Sequence, residues 1–316
     1  MPKVSVIVPV YGVEKFIERC ARSLFEQTFD DVEFIFVDDC TKDNSINVLR
    51  QVINDYHERK EHVRIIHHEV NKGLPQARKT GMLAAKGDYV INFDSDDWVD
   101  SNSIQSLYKR AYLEDADIVI GDIVLTDGHN EHLEKGCINC EKKQLIRDLS
   151  AFRIMWTLCN KMFKRSLLID MAYPVANNGE DMGLVIPLFI RAVKFSYEPM
   201  SLYYYYHHPH SMTHVGGEAS VVNRFYMFKD NAEIVIDAFN EAGLSETFKT
   251  SIDAIKFRVK LHLLGLVHDR EYYKIWKSTY PEINVRVFLN GEVKMIDKFK
   301  FLLTYLHLYP KKVDRI

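Results

Sequence analysis

Val4-Ser5-Val6-Ile7-Val8-Pro9-Val10-Tyr11 opens the chain with a run that is β-branched and almost wholly apolar. A strand that is buried on both faces of a parallel sheet reads this way, whereas a half-solvated strand alternates. Pro9 is expected to end it. Working outward, Val13, Phe16, Ile17, Cys20 and Leu24 fall at helical spacing, with Glu14, Arg19 and Arg22 opposite. A second strand spans Val32 to Val37, and the polar run Asp38-Asp39-Cys40-Thr41-Lys42-Asp43-Asn44-Ser45 stops it. A helix from Ser45 to Tyr56, a strand from Val63 to His67, a helix from Pro75 to Ala85 and a strand from Asp88 to Phe93 continue the alternation. That order predicts an α/β fold with a mostly parallel sheet between helices, whose ligands bind beyond the carboxyl ends of the strands.

Chemistry-bearing residues gather at those ends. Tyr11 follows the first strand, Asp38 and Asp39 the second, Asn71 and Gly73 the third, and Asp94-Ser95-Asp96-Asp97 the fourth. Crowded carboxylates repel unless a cation neutralises them. A hard ion such as Mg²⁺ or Mn²⁺ suits oxygen ligands and completes its shell with water and substrate phosphates. Acidic residues at strand ends are also ordinary solvated loop positions, and convergence of several such loops is what favours a site.

Four blocks together carry a resemblance: Val4 to Tyr11, Val37-Asp38-Asp39-Cys40-Thr41-Lys42-Asp43, Asn71-Lys72-Gly73-Leu74-Pro75-Gln76-Ala77-Arg78, and Asp94-Ser95-Asp96-Asp97. Over residues 1–215 the sequence resembles the family 2 glycosyltransferases of the GT-A fold. The resemblance implies a nucleotide-sugar donor, most often a uridine diphosphate sugar, a divalent metal (Mn²⁺ or Mg²⁺) and inversion at the anomeric carbon. It puts Pro9, Tyr11, Asp38 and Asp39 around the base and ribose, and leaves open which aspartate meets the base. Asn71, Gly73, Arg78, Asp94 and Ser95 fall near the donor, with Arg78 expected to meet diphosphate charge. Asp96 matches the metal ligand, and Asp97 supports the turn or the acceptor side. The sequence departs from the family at Cys40, usually a small residue such as glycine, and at Pro75-Gln76.

Further along, Asp117 to Asp122 reads as another strand, and Trp156 to Arg165, with Trp156 and Lys161, resembles the segment leading into the family's acceptor region. Asn178-Gly179-Glu180-Asp181 precedes an apolar helix from Met182 to Ala192. An acid there also serves as a helix cap. The resemblance makes Asp181 the general base and Glu180 its companion. In the run Leu202 to His214, His207 stands in the family's arginine region, and His207 or His214 is expected to contact phosphate or metal. A soft-metal site is disfavoured, since the segment lacks thiolates. Cys137-Ile138-Asn139-Cys140 reads as ordinary thiols, because no second pair accompanies it.

Residues 216–316 carry helical patterns and no strand signal. From Ile283 to Ile316 there are seven Lys or Arg against three Asp or Glu, so this tail is at +4 while the whole chain is at -3. Its basic amphipathic pattern suits packing on the enzyme, a homodimer, or the surface of an anionic membrane. Near-neutral total charge gives no argument for nucleic acid. An odd count of five cysteines and no leader pattern before the first strand lead to the expectation of a cytoplasmic protein, with contact to the inner face of the membrane as one reading of the tail.

Four function classes follow. The leading one is a metal-dependent glycosyltransferase that extends a bacterial cell-surface glycan or acts on a lipid-linked acceptor. A sugar-1-phosphate nucleotidyltransferase needs a glycine-rich, basic loop after its first strand, which Pro9-Val10-Tyr11-Gly12-Val13-Glu14 does not supply. A phosphatase built on Asp38-Asp39 leaves Glu180-Asp181 unexplained, and a non-catalytic nucleotide-binding relative leaves both acidic blocks idle.

Overall fold

A computed structural model describes residues 1–137, 139–207 and 218–308. In its first half β1 (Val4–Val10), α1 (Ile17–Phe25), β2 (Val32–Asp38), α2 (Ser45–Asp55), β3 (Val63–His67), α3 (Leu74–Ala84), β4 (Tyr89–Asn92) and β5 (Trp98–Val99) alternate as the apolar runs predict. Then come α4 (Ser103–Glu114), β6 (Ile118–Thr126), β7 (Glu131–Glu134), α5 (Lys142–Ser150), β8 (Lys161–Lys164), α6 (Glu180–Arg191) and β9 (Phe195–Tyr206). Five helices finish the described chain: α7 (Glu218–Glu241), α8 (Lys249–Leu261), α9 (Arg270–Ser278), α10 (Ile283–Arg286) and α11 (Met295–Tyr305).

One sheet runs in the order β3-β2-β1-β4-β8-β6-β9-β5, with β7 on β6. The strands β3, β2, β1 and β4 are mutually parallel, and β9 is parallel to β6. Strand β8 runs antiparallel to both β4 and β6 and splices the two parallel groups together. The chain winds outward from β1 to β3 and then returns to the other side of β1 at β4. Such a reversal of strand order opens a crevice at the carboxyl ends of the two strands.

Every residue of β1 and β2 is buried, and their side chains divide by parity. Val4, Val6, Val8, Val10, Phe34 and Phe36 join the core under α1, α2 and α4, whereas Ile7, Ile35 and Val37 join the core on the opposite face. Pro9 stands inside β1 rather than after it. The Ile7 carbonyl accepts from Phe93 N–H on the β4 side, and the Val10 carbonyl accepts from Asp39 N–H on the β2 side. By the same alternation Pro9 faces the β4 side, beyond the last paired residue Asn92, where its missing N–H leaves no ladder bond unmade.

The second core does not stop at residue 216. Met182, Val185 and Phe189 of α6 belong to it together with Phe225, Phe228, Ile255, Trp276 and Phe301 of the C-terminal helices. The buried Asn231 of α7 donates to the carbonyls of Ala176 (3.0 Å) and Asn178 (2.9 Å) and thereby ties the loop before α6. Helix α11 buries Phe301 and Thr304 and exposes Met295, Phe299, Leu302 and Leu306 on its other side. Among the described residues no helix is long and apolar enough to cross a membrane.

Candidate active site at the carboxyl end of the sheet

Asp38 ends β2, and its register partner in β3 is His67. Parallel pairing therefore brings the acidic pair Asp38-Asp39 beside the pair His67-His68. His67 Nδ1 donates to Asp38 (2.8 Å), whose other oxygen accepts from Thr41 N–H (2.9 Å). His68 Nδ1 donates to Asp39 (2.7 Å), and His68 Nε2 meets Thr80 Oγ1 (2.9 Å). Asp39 also accepts from the backbone N–H groups of Lys72 (2.8 Å) and Gly73 (2.8 Å). One buried carboxylate thus anchors the loop that carries Asn71, whose side chain also accepts from Gly73 N–H. Gly73 has φ +86, and a Cβ there would lie 2.6 Å from Asn177 Oδ1. The left-handed backbone favours glycine here, while the exposed Asn177 amide can turn aside.

The two departures from the family pattern have local causes. Cys40 sits at φ +58, the left-handed region in which glycine is cheapest. Pro75 falls in the first turn of α3, where a missing N–H costs nothing.

Arg78 projects from α3 and is 3% exposed. Its guanidinium lies 2.5 Å from Asp181 Oδ1, 2.9 Å from Asp94 Oδ1 and 3.7 Å from Glu180 Oε1. The arginine expected at the diphosphate instead joins the acids at the end of β4 to those at the start of α6. Glu180 and Asp181 lie inside the first turn of α6, with Gly179 at φ +82 as its N-cap. Packing demands that glycine, since a Cβ would come 2.6 Å from the Phe228 ring. Burial and the neighbouring Asp181 charge lift the Glu180 carboxyl to about 8. Burial raises Asp181 as well, opposed by the Arg78 charge beside it.

Asp97 turns inward. It is 2% exposed, accepts from Tyr203 Oη (2.5 Å) and Tyr206 N–H (2.7 Å), and is pushed well up by burial and by Asp96 and Asp94. Tyr203 Oη in turn accepts from Asp94 N–H (3.1 Å). These bonds tie the turn after β4 to β9. Ser95 is buried beside it, while Asp96 is half-buried and has its backbone carbonyl held by Arg19 (2.9 Å). Arg19 stacks on Trp98 at 3.7 Å.

Lys161, expected on the acceptor or phosphate side, is also turned inward. Its ammonium donates to the carbonyls of Met155 (3.1 Å) and Thr157 (2.7 Å) and to Asn160 Oδ1 (2.8 Å), and burial lowers it to about 8. Trp156 Nε1 is spent on the Leu149 carbonyl (2.7 Å), so only the ring faces outward partners. Pro9 is buried, Tyr11 is exposed at the mouth, and His207 is exposed just after β9. His214 lies outside the described residues. Cys137 Sγ is 3.2 Å from Cys140 Sγ, and both are free thiols.

The donor set suits a hard cation of the kind that borrows ligands. Among the described residues no three metal-binding side chains converge. Asp96 stands beside Asp94, and an ion with one or two carboxylates takes its other ligands from water and phosphate oxygens. Sequence reasoning passed over His67, His68, Tyr203 and Asn231. The His67-His68 pair was the available signal, since register places it against Asp38-Asp39.

Sheet order and crevice give a GT-A-type fold with acidic pairs at the carboxyl edge of its strands. The Glycosyl transferase family 2 model matches residues 5–171, more than half of the 316 residues, and the chain belongs to that family. It is 29% identical over 277 residues to the glycosyltransferase EpsJ of Bacillus subtilis, covering 84% of this chain and 77% of that one. It is 28% identical to the poly(ribitol-phosphate) beta-glucosyltransferase of Bacillus spizizenii, over 99% of this chain but 46% of that protein. Residues 1–349 of S. aureus TarS superimpose with a TM-score of 0.71 at 17% identity, covering 97% of this chain and 90% of that one. The same TarS fragment, solved with UDP-GlcNAc, superimposes at 0.56 with 18% identity over 89% of this chain and 92% of that one.

Proposed function

We propose that this enzyme transfers a sugar with inversion from a uridine diphosphate donor to a hydroxyl of a glycan or lipid-linked acceptor, in the assembly of a cell-surface polysaccharide and with a divalent metal. The observation that carries the proposal is the buried Arg78, which joins Asp181, 103 residues away at the start of α6, to Asp94, 16 residues away at the end of β4. Inversion needs a base on the face of the anomeric carbon away from the leaving group, and Arg78 brings the candidate base Asp181 to the acidic strand end at which the donor is expected.

In the transfer, the acceptor oxygen forms a bond to the anomeric carbon as the bond to the diphosphate breaks, and the acceptor proton passes to Asp181. Arg78 favours the ionised form of Asp181, while Glu180, lifted to about 8, holds the proton of the pair at neutral pH. Asp96 would hold the divalent metal, which when bound would supply charge neutralisation for the leaving diphosphate. Asp39 is filled by three donors and 4% exposed in its side chain, so Asp38, at 13%, is the better placed to accept from a base N–H. The donor complex of the TarS fragment supports the donor class, and the name of the poly(ribitol-phosphate) beta-glucosyltransferase supports the polymer setting.

A melting-temperature titration tests this reading. UDP with Mn²⁺ is expected to raise the melting temperature of the native chain, by the linkage of ligand binding to folding. Asp96→Ala should remove the metal-dependent part of that rise. An equal rise in both proteins, or one indifferent to metal, would overturn the metal assignment.

A further inference from the structure

Two thiols meet at the seam between β6 and α5, a place the transfer chemistry does not use. Cys137 is 2% exposed, Cys140 is half-buried, and their sulfurs lie 3.2 Å apart. Both stand on anchored backbone. Gly136, just before Cys137, donates its N–H to the buried Asp122 of β6 (2.8 Å), and a Cβ on it would collide with the Gly121 carbonyl. That glycine therefore lets the segment lie flat against β6. Cys140 enters α5 immediately before the N-cap Glu141, whose carboxylate accepts from the N–H groups of Lys143 (3.0 Å) and Gln144 (2.8 Å). Leu145, Ile146 and Leu149 then fix α5 in the second core.

The contact divides the labour between the two sulfurs. The hydrogen bond to Cys137 holds the Cys140 thiol below its ordinary value, against burial and the nearby Glu114 charge. The same bond, then burial and the Asp122 charge, push Cys137 up, and the Lys161 charge opposes them. The more accessible sulfur is thus the better nucleophile, with a protonated thiol in contact behind it, as thiol–disulfide exchange requires. A bond between two sulfurs needs about 2.05 Å, so closure takes a move of about 1 Å. Among the described residues no third metal-binding side chain joins the pair, so the ligand set of a structural zinc is not assembled there. Nor are any other two cysteines in hydrogen-bond contact among those residues.

We propose that Cys137 and Cys140 form a reversible redox site that reacts with low-molecular-weight disulfides, such as glutathione disulfide, and closes an intramolecular bond. The Cys140 thiolate attacks one sulfur of the small disulfide, which forms a mixed disulfide and releases one small thiolate. Cys137 then gives its proton to solvent, and its sulfur attacks the Cys140 sulfur and expels the second small thiolate. The two cysteines lose two electrons and two protons, and the small disulfide gains them as two thiols. In a reducing compartment both cysteines stay thiols, and an oxidised thiol pool closes the bond and fastens the start of α5 to the segment on β6.

The test exposes the folded full chain to glutathione disulfide, alkylates the remaining thiols with iodoacetamide and maps the peptide masses. The peptide that carries Cys137 and Cys140 should lose two hydrogens, escape alkylation and regain both thiols after dithiothreitol. In Cys137→Ser the reaction should stop at the mixed disulfide, with one glutathione on Cys140. In Cys140→Ser the buried Cys137 should stay reduced. Without oxidant, iodoacetamide should modify Cys140 at least ~10-fold faster than Cys137 in the folded chain, and both at similar rates in urea. The arm on the native chain needs no variant to fold. Alkylation of both cysteines after exposure to the oxidant would overturn the proposal. So would glutathione carried by Cys137 in Cys140→Ser, or equal alkylation rates in the folded chain.

Discussion

Replacing Glu180 by Gln is expected to change how stability depends on pH. In the unfolded chain the Glu180 carboxyl titrates at its ordinary 4.5, and in the folded chain at about 8. Between those values the folded chain holds a proton that the unfolded chain has released, so stability falls as pH rises. The contribution is fully present below 4.5 and lost above about 8. A rise from 4.5 to about 8 corresponds to an upper bound of ~5 kcal/mol across that window. For a chain of this size that is a fall in Tm of several degrees. The carboxyl is 13% exposed in its side chain, so little of this is screened by solvent. Asp181 and Asp97 are raised as well and add slopes of the same sign. The Gln variant therefore retains part of the decline and loses the Glu180 share. Calorimetric melting of both proteins without ligand, from pH 5 to pH 8.5 in steps, measures the difference. Parallel curves would refute the reasoning, because they would mean that Glu180 titrates alike in the folded and unfolded chains.

Two further substitutions probe the site. Asp181→Asn should reduce sugar transfer ~10²–10⁴-fold while UDP still raises the melting temperature, and near-normal turnover would remove Asp181 as the base. Gly179→Ala places a side chain at φ +82 and 2.6 Å from the Phe228 ring, so urea denaturation should show a loss of about 2 kcal/mol or more. A loss under about 0.5 kcal/mol would show that α7 does not constrain this loop.

Much of the catalytic half was legible because its strands are buried on both faces. Continuous apolar runs such as Val4 to Val8 and Val32 to Val37 have no alternation to misread, and turn formers bound them closely. The strand Val63–His67 was read with the bounds observed, and the helix after Gly73 began one residue earlier than the sequence suggested. The Glu180-Asp181 pair was legible as a motif at a helix start, while only the Phe228 contact shows why a glycine precedes it. Lys161 and Arg78 have partners within the chain that the motifs did not show. A cation in a motif looks available to phosphate, and only packing shows that its donors are already taken by carbonyls or carboxylates.

Local pattern determined the elements of this protein, the parallel class of its first sheet strands, and the strand ends at which its acids gather. Those are properties of side-chain periodicity and turn chemistry, which a linear chain displays. Tertiary structure alone decided that β8 would enter antiparallel between two parallel groups, that Arg78 would reach an aspartate 103 residues away, and that α7 would pin the loop before the base. These depend on which surfaces bury one another, and no spacing along the chain encodes that choice.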